Sequence, residues 1–262
     1  MKDQILQNLP AECPWRDTLH WFDNISSTNE VAKQLAKENA PLGKLVLAGH
    51  QSAGRGRLGR SFSSPAGKGI YLSLILRPNC PPEKLMHLTC AVAVAACDAV
   101  EEVTGVRPGV KWINDLILGK KKLGGILTEL TIEQGIVHSA VIGIGINCTQ
   151  KQQDFPEEIQ DIAISLESFT GKTVKLPQLA AALIRHLYKM NCHLFSNDFL
   201  SAYRADCITI GQEICVVSGG DISYGKAVDL DKQGGLVVAC SDGTFKTVNS
   251  GEVSIRGMYG YV

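Results

Sequence analysis

Three arginines, Arg55, Arg57 and Arg60, are separated by glycines in the segment GRGRLGR at residues 54–60. The surrounding stretch, residues 39–82, contains no Asp or Glu. Glycines let a backbone expose successive N–H groups, and forked guanidinium groups match the oxygens of phosphates and carboxylates. The segment therefore predicts anion or nucleotide binding. The alternatives are a solvated basic loop or a nucleic-acid contact; a Walker A loop is excluded because no G-K-[ST] follows.

A second segment, KWIND at residues 111–115, precedes a predicted hairpin that leads to Lys122 and then to Gly124 and Gly125. We expect the Asn-Asp pair before one strand and the lysine at the end of the turn to face a common cleft. Asp115 is suited to a metal ion or a ribose hydroxyl, and Lys122 to a phosphate. The alternative is a surface hairpin with solvated lysines. The paired glycines favour the cleft, because glycine within a strand indicates close approach of a ligand or a backbone.

A third segment, GIGIN at residues 143–147, contains two glycines and ends in Asn147. It is too short for a dinucleotide-binding fingerprint, since neither a third glycine nor a helix follows. Asn147 is interpreted either as a residue that reads a polar ligand edge or as an ordinary turn residue.

The elements that must position these segments are indicated by hydrophobic periodicity. Ser27 and Glu30 have the spacing of a capping box, which predicts a helix that follows. The patterns predict further helices from Pro82 to about Gly105, largely buried, and over residues 177–195. Strands are predicted at 44–50, 70–78 (alternating), 110–112, 116–118, 125–130 and 136–146, with a hairpin at the GKKK turn of residues 119–122.

The pattern changes near residue 206. Short β-rich runs separated by GGD, KQGG and SDG turns predict a small all-β barrel. We therefore predict two domains, residues 1–206 and residues 207–262.

Composition narrows the possible classes of protein. Hydrophobic residues make up 45% of the chain, which predicts a globular protein. The formal net charge is +0, so no overall electrostatic attraction to DNA or membranes is expected. The nine cysteines include no C-x-x-C pair, and the amino-terminal residues have no apolar signal-peptide core. These features predict a cytoplasmic protein with reduced thiols and no membrane span.

Taken together, six segments resemble the biotin protein ligase family. In chain order they are SSTN (26–29), Gln51 with the arginine loop, KWIND, KKKLGGIL (120–127), GIGIN and GEVSIR (251–256). Two positions depart from the family pattern: Ile113 stands where proline is common, and Phe62 where tryptophan often follows the loop. Because SSTN is reached by residue 29, the chain resembles the ligase-only class without an amino-terminal DNA-binding domain.

The resemblance implies an α+β fold. The catalytic domain would be like class II aminoacyl-tRNA synthetases, with a mixed sheet flanked by helices, and an SH3-like β-barrel would follow it. The implied activity is ATP-dependent formation of biotinyl-5′-AMP and transfer of biotin to a lysine of a biotin carboxyl carrier protein or domain. Biotin and ATP are the substrates, Mg²⁺ is the expected cofactor, and a homodimer is possible.

The resemblance also implies roles for individual residues. Lys122 and Arg57 are the predicted catalytic residues, Trp112 a wall of the site, and Asp115 the metal ligand and candidate base for the acceptor lysine. The predicted biotin site comprises Ser27, Thr28, Asn29, Gln51, Gly54, Arg55, Gly56, Arg57, Lys122, Gly125 and Leu127, with Gly124 giving further backbone approach. The predicted ATP site comprises Arg55, Arg57, Arg60, Phe62, Lys111, Asn114, Asp115, Asn147 and Arg256.

Three rival interpretations remain. A lipoate or octanoate transferase on the related fold would share the lysine, but the arginine loop together with KWIND favours biotin. A nucleic-acid-binding protein would use the arginine segment and bind less tightly as salt rises. An inactive binding module would retain the fold, and the intact charged positions argue against it.

Overall fold

The computed structural model describes residues 1–218 and 221–258, with nothing given for the side chain of Ser218. The turn predicted at residues 219–221 and the last four residues of the predicted second domain therefore lie wholly or partly outside the described residues. The helices of the described chain are α1 Lys2–Asn8, α2 Thr28–Lys37, α3 Leu88–Thr104, α4 Leu166–Thr170, α5 Leu176–Cys192 and α6 Phe199–Asp206.

A seven-stranded mixed sheet forms the centre of the larger part of the chain. Its strands are β1 Leu19–Ile25, β2 Lys44–Gln51, β3 Gly69–Leu76, β4 Gly109–Lys111, β5 Asp115–Leu118, β6 Lys121–Glu133 and β7 Ile136–Asn147. The spatial order is β1-β2-β3-β7-β6-β5-β4. Only β1 and β2 are parallel among these pairs, because α2 carries the chain back between them. The predicted mixed sheet flanked by helices is confirmed.

Helices cover both faces of this sheet. On one face α2 packs Ala32 and Ala36 against Val46, Ile75 and Val141. On the other face lies the main core, which contains α3 and α5. Helix α3 is buried over most of its length, as predicted, and ends at Gly105, whose φ of 72° gives the left-handed cap that glycine favours.

Helix α2 begins where the sequence predicts, but its first turn is held differently. Ser27 is the N-cap residue, yet its side chain makes no capping hydrogen bond. Instead the N–H of Thr28 donates to Oε1 of Gln51 at 2.8 Å. Glu30 pairs with Lys33 and Arg55, so the predicted capping box is wrong. Gln51 of β2 therefore supplies the hydrogen-bond acceptor at the start of α2, where the sequence spacing had predicted capping by the helix's own residues Ser27 and Glu30.

Two strand predictions also need correction. The strand predicted as alternating over residues 70–78 is buried at every position from Gly69 to Leu76, because helices cover both faces of the sheet. The predicted hairpin at 119–122 is present, but its turn is Gly119-Lys120, and Lys122 lies within β6. The sequence patterns did not predict α1, β1 or α6.

A five-stranded antiparallel sheet follows, with strands β8 Glu213–Ser218, β9 Asp221–Leu230, β10 Leu236–Cys240, β11 Phe245–Val248 and β12 Glu252–Ile255. The strand order is β11-β10-β9-β8-β12. Contacts between the two sheets include the indole N–H of Trp112, which donates to the carbonyl of Gly234 at 2.9 Å. The small β-rich unit is present as predicted, whereas the boundary at residue 206 stays a prediction.

Within residues 1–218 and 221–258, the helices lack the combination of length and apolar character needed to cross a bilayer.

Candidate functional site

A cavity lies on the face of the large sheet that carries α2, beside the first turn of that helix. Its walls come from the start of α2, the arginine loop, the β4–β5 turn, β6, β7 and the segment 251–253. Most of the residues predicted for the site line this one cavity: Ser27, Thr28, Asn29, Gln51, Arg55, Gly56, Arg57, Arg60, Phe62, Lys111, Asn114, Asp115, Lys122, Gly125 and Leu127. Trp112 also contributes to the wall. Segments more than a hundred residues apart in sequence are thus brought together.

One end of the cavity carries neutral polar groups in a fixed network. The buried hydroxyl of Ser73 lies 2.6 Å from Oδ1 of Asn29 and 2.8 Å from Oγ1 of Thr28. Gln51 accepts from Thr28 through Oε1 and donates from Nε2 to Oγ of Ser64 at 2.9 Å. Because these donors and acceptors are held by neighbours, they are preorganised to recognise a polar ring such as a ureido group.

Glu129 orients the amide of Asn29 in this network. Nδ2 of Asn29 donates to Oε2 of Glu129 at 2.9 Å, and Lys33 lies 3.1 Å from Oε1 of the same carboxylate. Burial alone would raise the pKa of Glu129, but the hydrogen bonds from Asn29 and Lys33 and the nearby Arg55 outweigh burial and hold the pKa below its ordinary value. Glu129 is therefore a carboxylate that holds the amide of Asn29 in position at the polar end of the cavity.

The other end of the cavity carries lysines and acceptors from β4–β6. Nζ of Lys122 lies 2.7 Å from Oδ1 of Asp115, and Nδ2 of Asn114 lies 3.2 Å from the same oxygen. Lys111 is buried, and burial lowers its pKa, an effect that the charge of Asp115 opposes. Cations held beside a carboxylate in a half-enclosed site suit a phosphate and a metal ion.

The arginine loop closes on itself and is tied to both parts of the chain. The N–H of Gly56 donates to the carbonyl of Arg60 at 2.7 Å. Nη1 of Arg57 donates to Oδ1 of Asn114 at 3.0 Å, and Nη2 donates to the carbonyl of Gly251 at 3.1 Å. Arg60 forms an ion pair with Glu252. The loop is thereby fastened over the cavity through its cations.

The other basic residues of this stretch have structural partners away from the cavity. Lys44 lies 2.8 Å from Nε2 of His20, and Lys68 pairs with Asp154 at 2.6 Å. Arg77 donates to the carbonyl of Ala40 near the end of α2. The basic stretch is therefore dispersed, which disfavours a continuous nucleic-acid surface.

Glycines in β7 make room for side chains of the site. A Cβ on Gly143 would lie 2.1 Å from Oδ1 of Asn29, and one on Gly145 would lie 2.5 Å from the ring of Phe62. A Cβ on Gly124 of β6 would likewise be too close to a neighbour, because it would lie 2.3 Å from the backbone carbonyl oxygen of Gly145. The glycines of GIGIN thus admit side chains, whereas a dinucleotide fingerprint would admit a pyrophosphate.

Four predicted site residues do not line the cavity: Gly54, Gly124, Asn147 and Arg256. The amide of Asn147 is buried and bonded to the carbonyl of Ile164 at 3.2 Å and to Gln150 at 3.1 Å, which agrees with a structural role. Arg256 is exposed at the end of β12. Gly54 packs against Phe62 within the loop.

Sequence reasoning missed Glu129 and the pair Gly251 and Glu252. Glu129 had no signal, because it lies a hundred residues from Asn29 in sequence and only the packing of α2 on β6 and its neighbours brings the two together. Glu252 had a signal, since it belongs to the segment GEVSIR, from which the resemblance implied a role for Arg256 alone.

Comparison with known proteins agrees with the family resemblance inferred from the sequence. Residues 21–147 match the family model described as the biotin/lipoate A/B protein ligase family, and residues 209–256 match the biotin protein ligase C terminal domain. The chain is 36% identical over 240 residues to the bifunctional ligase/repressor BirA of Bacillus subtilis, covering 90% of this chain and 74% of that protein. It is 34% identical over 263 residues to the biotin–[acetyl-CoA-carboxylase] ligase of Mycobacterium tuberculosis, covering 97% of this chain and 93% of that protein.

Solved structures give the same result. The biotin protein ligase of Aquifex aeolicus in complex with biotin and ATP matches with a TM-score of 0.78 at 30% identity, covering 91% of this chain and 98% of that one. The two matching family models, the relatives and the shared fold show that the chain belongs to the biotin protein ligase family.

Proposed function

We propose that this protein activates biotin with ATP to give biotinyl-5′-AMP and transfers biotin to a lysine of a biotin carboxyl carrier domain. The observation that carries the proposal is that one cavity joins a neutral polar end to a cationic end, with Lys122 and Arg57 both in its wall. A bicyclic urea suits the first end, and the phosphates of ATP suit the second.

In the first step an oxygen of the biotin carboxylate attacks the α-phosphorus of ATP. The bond from that phosphorus to the bridging oxygen breaks, and pyrophosphate leaves. A carboxylate is already ionised at neutral pH, so the barrier comes from bringing two anions together and from the charge that develops on the phosphate. Lys122 is assigned to bridge the carboxylate and the α-phosphate, and Arg57 to stabilise the same charge from the loop.

In the second step the amine of the acceptor lysine attacks the acyl carbon of the adenylate. The bond from that carbon to the AMP oxygen breaks, AMP leaves, and the amine loses a proton. Asp115, the candidate base that the sequence suggested, is paired with Lys122 at 2.7 Å, so the proton of the amine is assigned to solvent. A loop that stays closed between the two steps would protect the anhydride from water.

Magnesium is assigned to the phosphate end. Asp115 would hold the ion together with phosphate oxygens, a donor set that Mg²⁺ favours, and the ion would neutralise phosphate charge. Asp115 lines the cavity and can supply one carboxylate to a magnesium ion. The described residues contain no cluster of three His, Cys, Asp or Glu side chains that would bind a metal by themselves, so the phosphates would supply the other ligands. A cytoplasmic location and a homodimer stay predictions.

The proposed reaction is tested by transfer of labelled biotin to a purified carrier domain, with ATP and Mg²⁺ present or omitted. We expect labelling of the carrier lysine only when both are present. If folded protein fails to label the carrier, labelled lipoate and octanoate are tested next, and transfer of either would replace biotin as the substrate.

A further inference from the structure

The small sheet supplies one wall of the cavity through the segment 251–253. Glu252 is the first residue of β12 and pairs with Val217 of β8, so strand pairing fixes its backbone. Its Oε1 lies 2.5 Å from Nη2 of Arg60. A carboxylate about two hundred residues away in sequence therefore holds a cation of the arginine loop.

The arginine loop is a small flap with few attachments of its own. It closes internally, through the Gly56–Arg60 hydrogen bond and through the N–H of Phe62, which donates to the carbonyl of Gly54 at 2.9 Å. Its tip residue Leu58 is 72% exposed, so no apolar packing anchors the tip. The position of the flap must depend on its arginines.

Both cations in the second half of the flap reach the same short segment. Arg57 donates to the carbonyl of Gly251, and Arg60 pairs with Glu252. The carbonyl is part of the backbone, whereas the carboxylate of Glu252 can be removed by substitution. Glu252 is therefore the side chain through which a substitution can release the flap from the small sheet, while Arg55–Glu30 and Arg57–Asn114 still tie it to the rest of the chain.

We propose that Glu252 is a positioning residue that holds the arginine loop closed over the adenylate through Arg60. The inference rests on the proposed function, because it concerns retention of the intermediate between the two steps. Glu252 does not touch the reacting atoms in this assignment. It sets how long the flap remains shut, and so how much adenylate escapes before a carrier lysine arrives.

A second role for the same contact predicts a different result. If Glu252 only occupied Arg60 until a nucleotide phosphate displaced it, removing the carboxylate would free Arg60 and lower the KM for ATP. If Glu252 holds the flap, its removal accelerates loss of the adenylate and leaves the KM for ATP unchanged or raised. The two roles are thus separated by kinetics.

The expected size of the effect of substituting Glu252 follows from the solvent exposure of its ion pair with Arg60. The side chain of Arg60 is 66% exposed and that of Glu252 33% exposed, so solvent screens the pair. Partly exposed ion pairs of this kind change an equilibrium on the order of two- to five-fold. We expect Glu252→Gln to shorten retention by about that factor, and Glu252→Lys, which places like charges together, to shorten it further.

The experiment loads the full-length protein with labelled biotin and ATP and then chases with excess unlabelled biotin. The rate at which labelled adenylate leaves the protein is measured by rapid filtration, and escaped adenylate by labelling of serum albumin. The KM for ATP in adenylate formation is measured in parallel. Glu213→Gln is the matched control, because Glu213 is an exposed carboxylate on β8 of the same sheet and does not line the cavity.

The proposal predicts faster release in the order Glu252→Lys, Glu252→Gln, wild type, with Glu213→Gln equal to wild type and Glu252→Asp closer to wild type than Glu252→Gln. In an Arg60→Gln background, Glu252→Gln should have no further effect, which a general loss of stability would not reproduce. Unchanged release in Glu252→Gln and Glu252→Lys, a lowered KM for ATP alone, or an undiminished effect in the Arg60→Gln background would overturn it. Failure of the wild type to form adenylate would instead reject the proposed function.

Discussion

Lys122 and Asp115 form an ion pair across two neighbouring strands, with 2.7 Å between Nζ and Oδ1. The N–H and carbonyl of Lys122 also bond to the segment that contains Ile162 and Ile164. This lysine is therefore fixed by a sheet, by a second segment and by its carboxylate partner, and it lies within β6 and not at the end of the turn as the sequence predicted. A fixed cation costs less reorganisation when charge develops on the substrate.

We expect Lys122→Ala to reduce adenylate formation on the order of 10²–10³-fold, because the charge that stabilises the transition state is lost. Alanine keeps both backbone hydrogen bonds, and a partly exposed ion pair contributes only about 0–1 kcal/mol, so the protein should remain folded. Pyrophosphate release measures the activity, and the thermal midpoint measures folding. Lys121→Ala, one residue earlier in β6 and outside the cavity, is the control. Normal turnover in folded Lys122→Ala would remove the assignment.

Arg57→Gly should release the adenylate faster and so label lysines of bystander proteins. The side chain bonds to Asn114 and to the carbonyl of Gly251, and both bonds to the loop are lost with it. Labelling of serum albumin in a mixture with ATP and labelled biotin measures escape. Arg57→Ala separates loss of the guanidinium from the added freedom of glycine, and we expect it to behave similarly. An unchanged labelling pattern would argue against loop closure.

Asp115→Asn should raise the concentration of Mg²⁺ needed for half-maximal adenylate formation on the order of ten-fold, because an amide is a weaker ligand for a hard cation than a carboxylate. A titration of pyrophosphate release against Mg²⁺ at fixed ATP measures this. Asp154→Asn, at a surface ion pair with Lys68, is the comparison. If the Mg²⁺ requirement does not move, Asp115 serves Lys122 alone.

Alanine at the two glycines of β7 should affect different substrates. Gly143→Ala displaces Asn29 and should raise the KM for biotin, whereas Gly145→Ala displaces Phe62 and should raise the KM for ATP. The displaced side chain leaves its binding position, so we expect the corresponding KM to rise, while the overpacking itself costs about 1–3 kcal/mol of folding stability. Steady-state kinetics with either substrate varied tests the division. Equal effects on both substrates would refute the assignment of the two ends.

Glu129 gives the folded state a dependence on pH. Its pKa lies below the ordinary value of 4.5. A depressed carboxyl pKa stabilises the folded state above the unfolded pKa, and this contribution is lost as pH falls through the folded pKa. Glu129→Gln should therefore lose less stability than wild type on acidification below about pH 5. Urea unfolding at pH 7 and pH 4 measures it, with Glu133→Gln, at the exposed end of β6, as the control.

The sequence by itself determined the segments that carry the chemistry and most of the elements that hold them. Arg57 and Lys122 were candidates because local patterns of glycine and charge reflect constraints that act on a few neighbouring residues, whereas Asn29 was a candidate through the family resemblance alone. The helix that starts at Thr28 and the hairpin before Lys122 were likewise local. Such features depend on backbone propensities and periodicity, which are present in the linear chain.

The tertiary structure alone decided which of these segments meet and what supports them. The packing of α2 on the large sheet places Glu129 beside Asn29, and the packing of the small sheet against the arginine loop brings Glu252 to Arg60. Helices cover both faces of β3, and hydrogen bonds to Ile164 and Gln150 hold Asn147 away from the cavity. These relationships join residues far apart in sequence, and their energies arise only when the chain has closed the long loops between them. No local pattern in the sequence can encode such pairings.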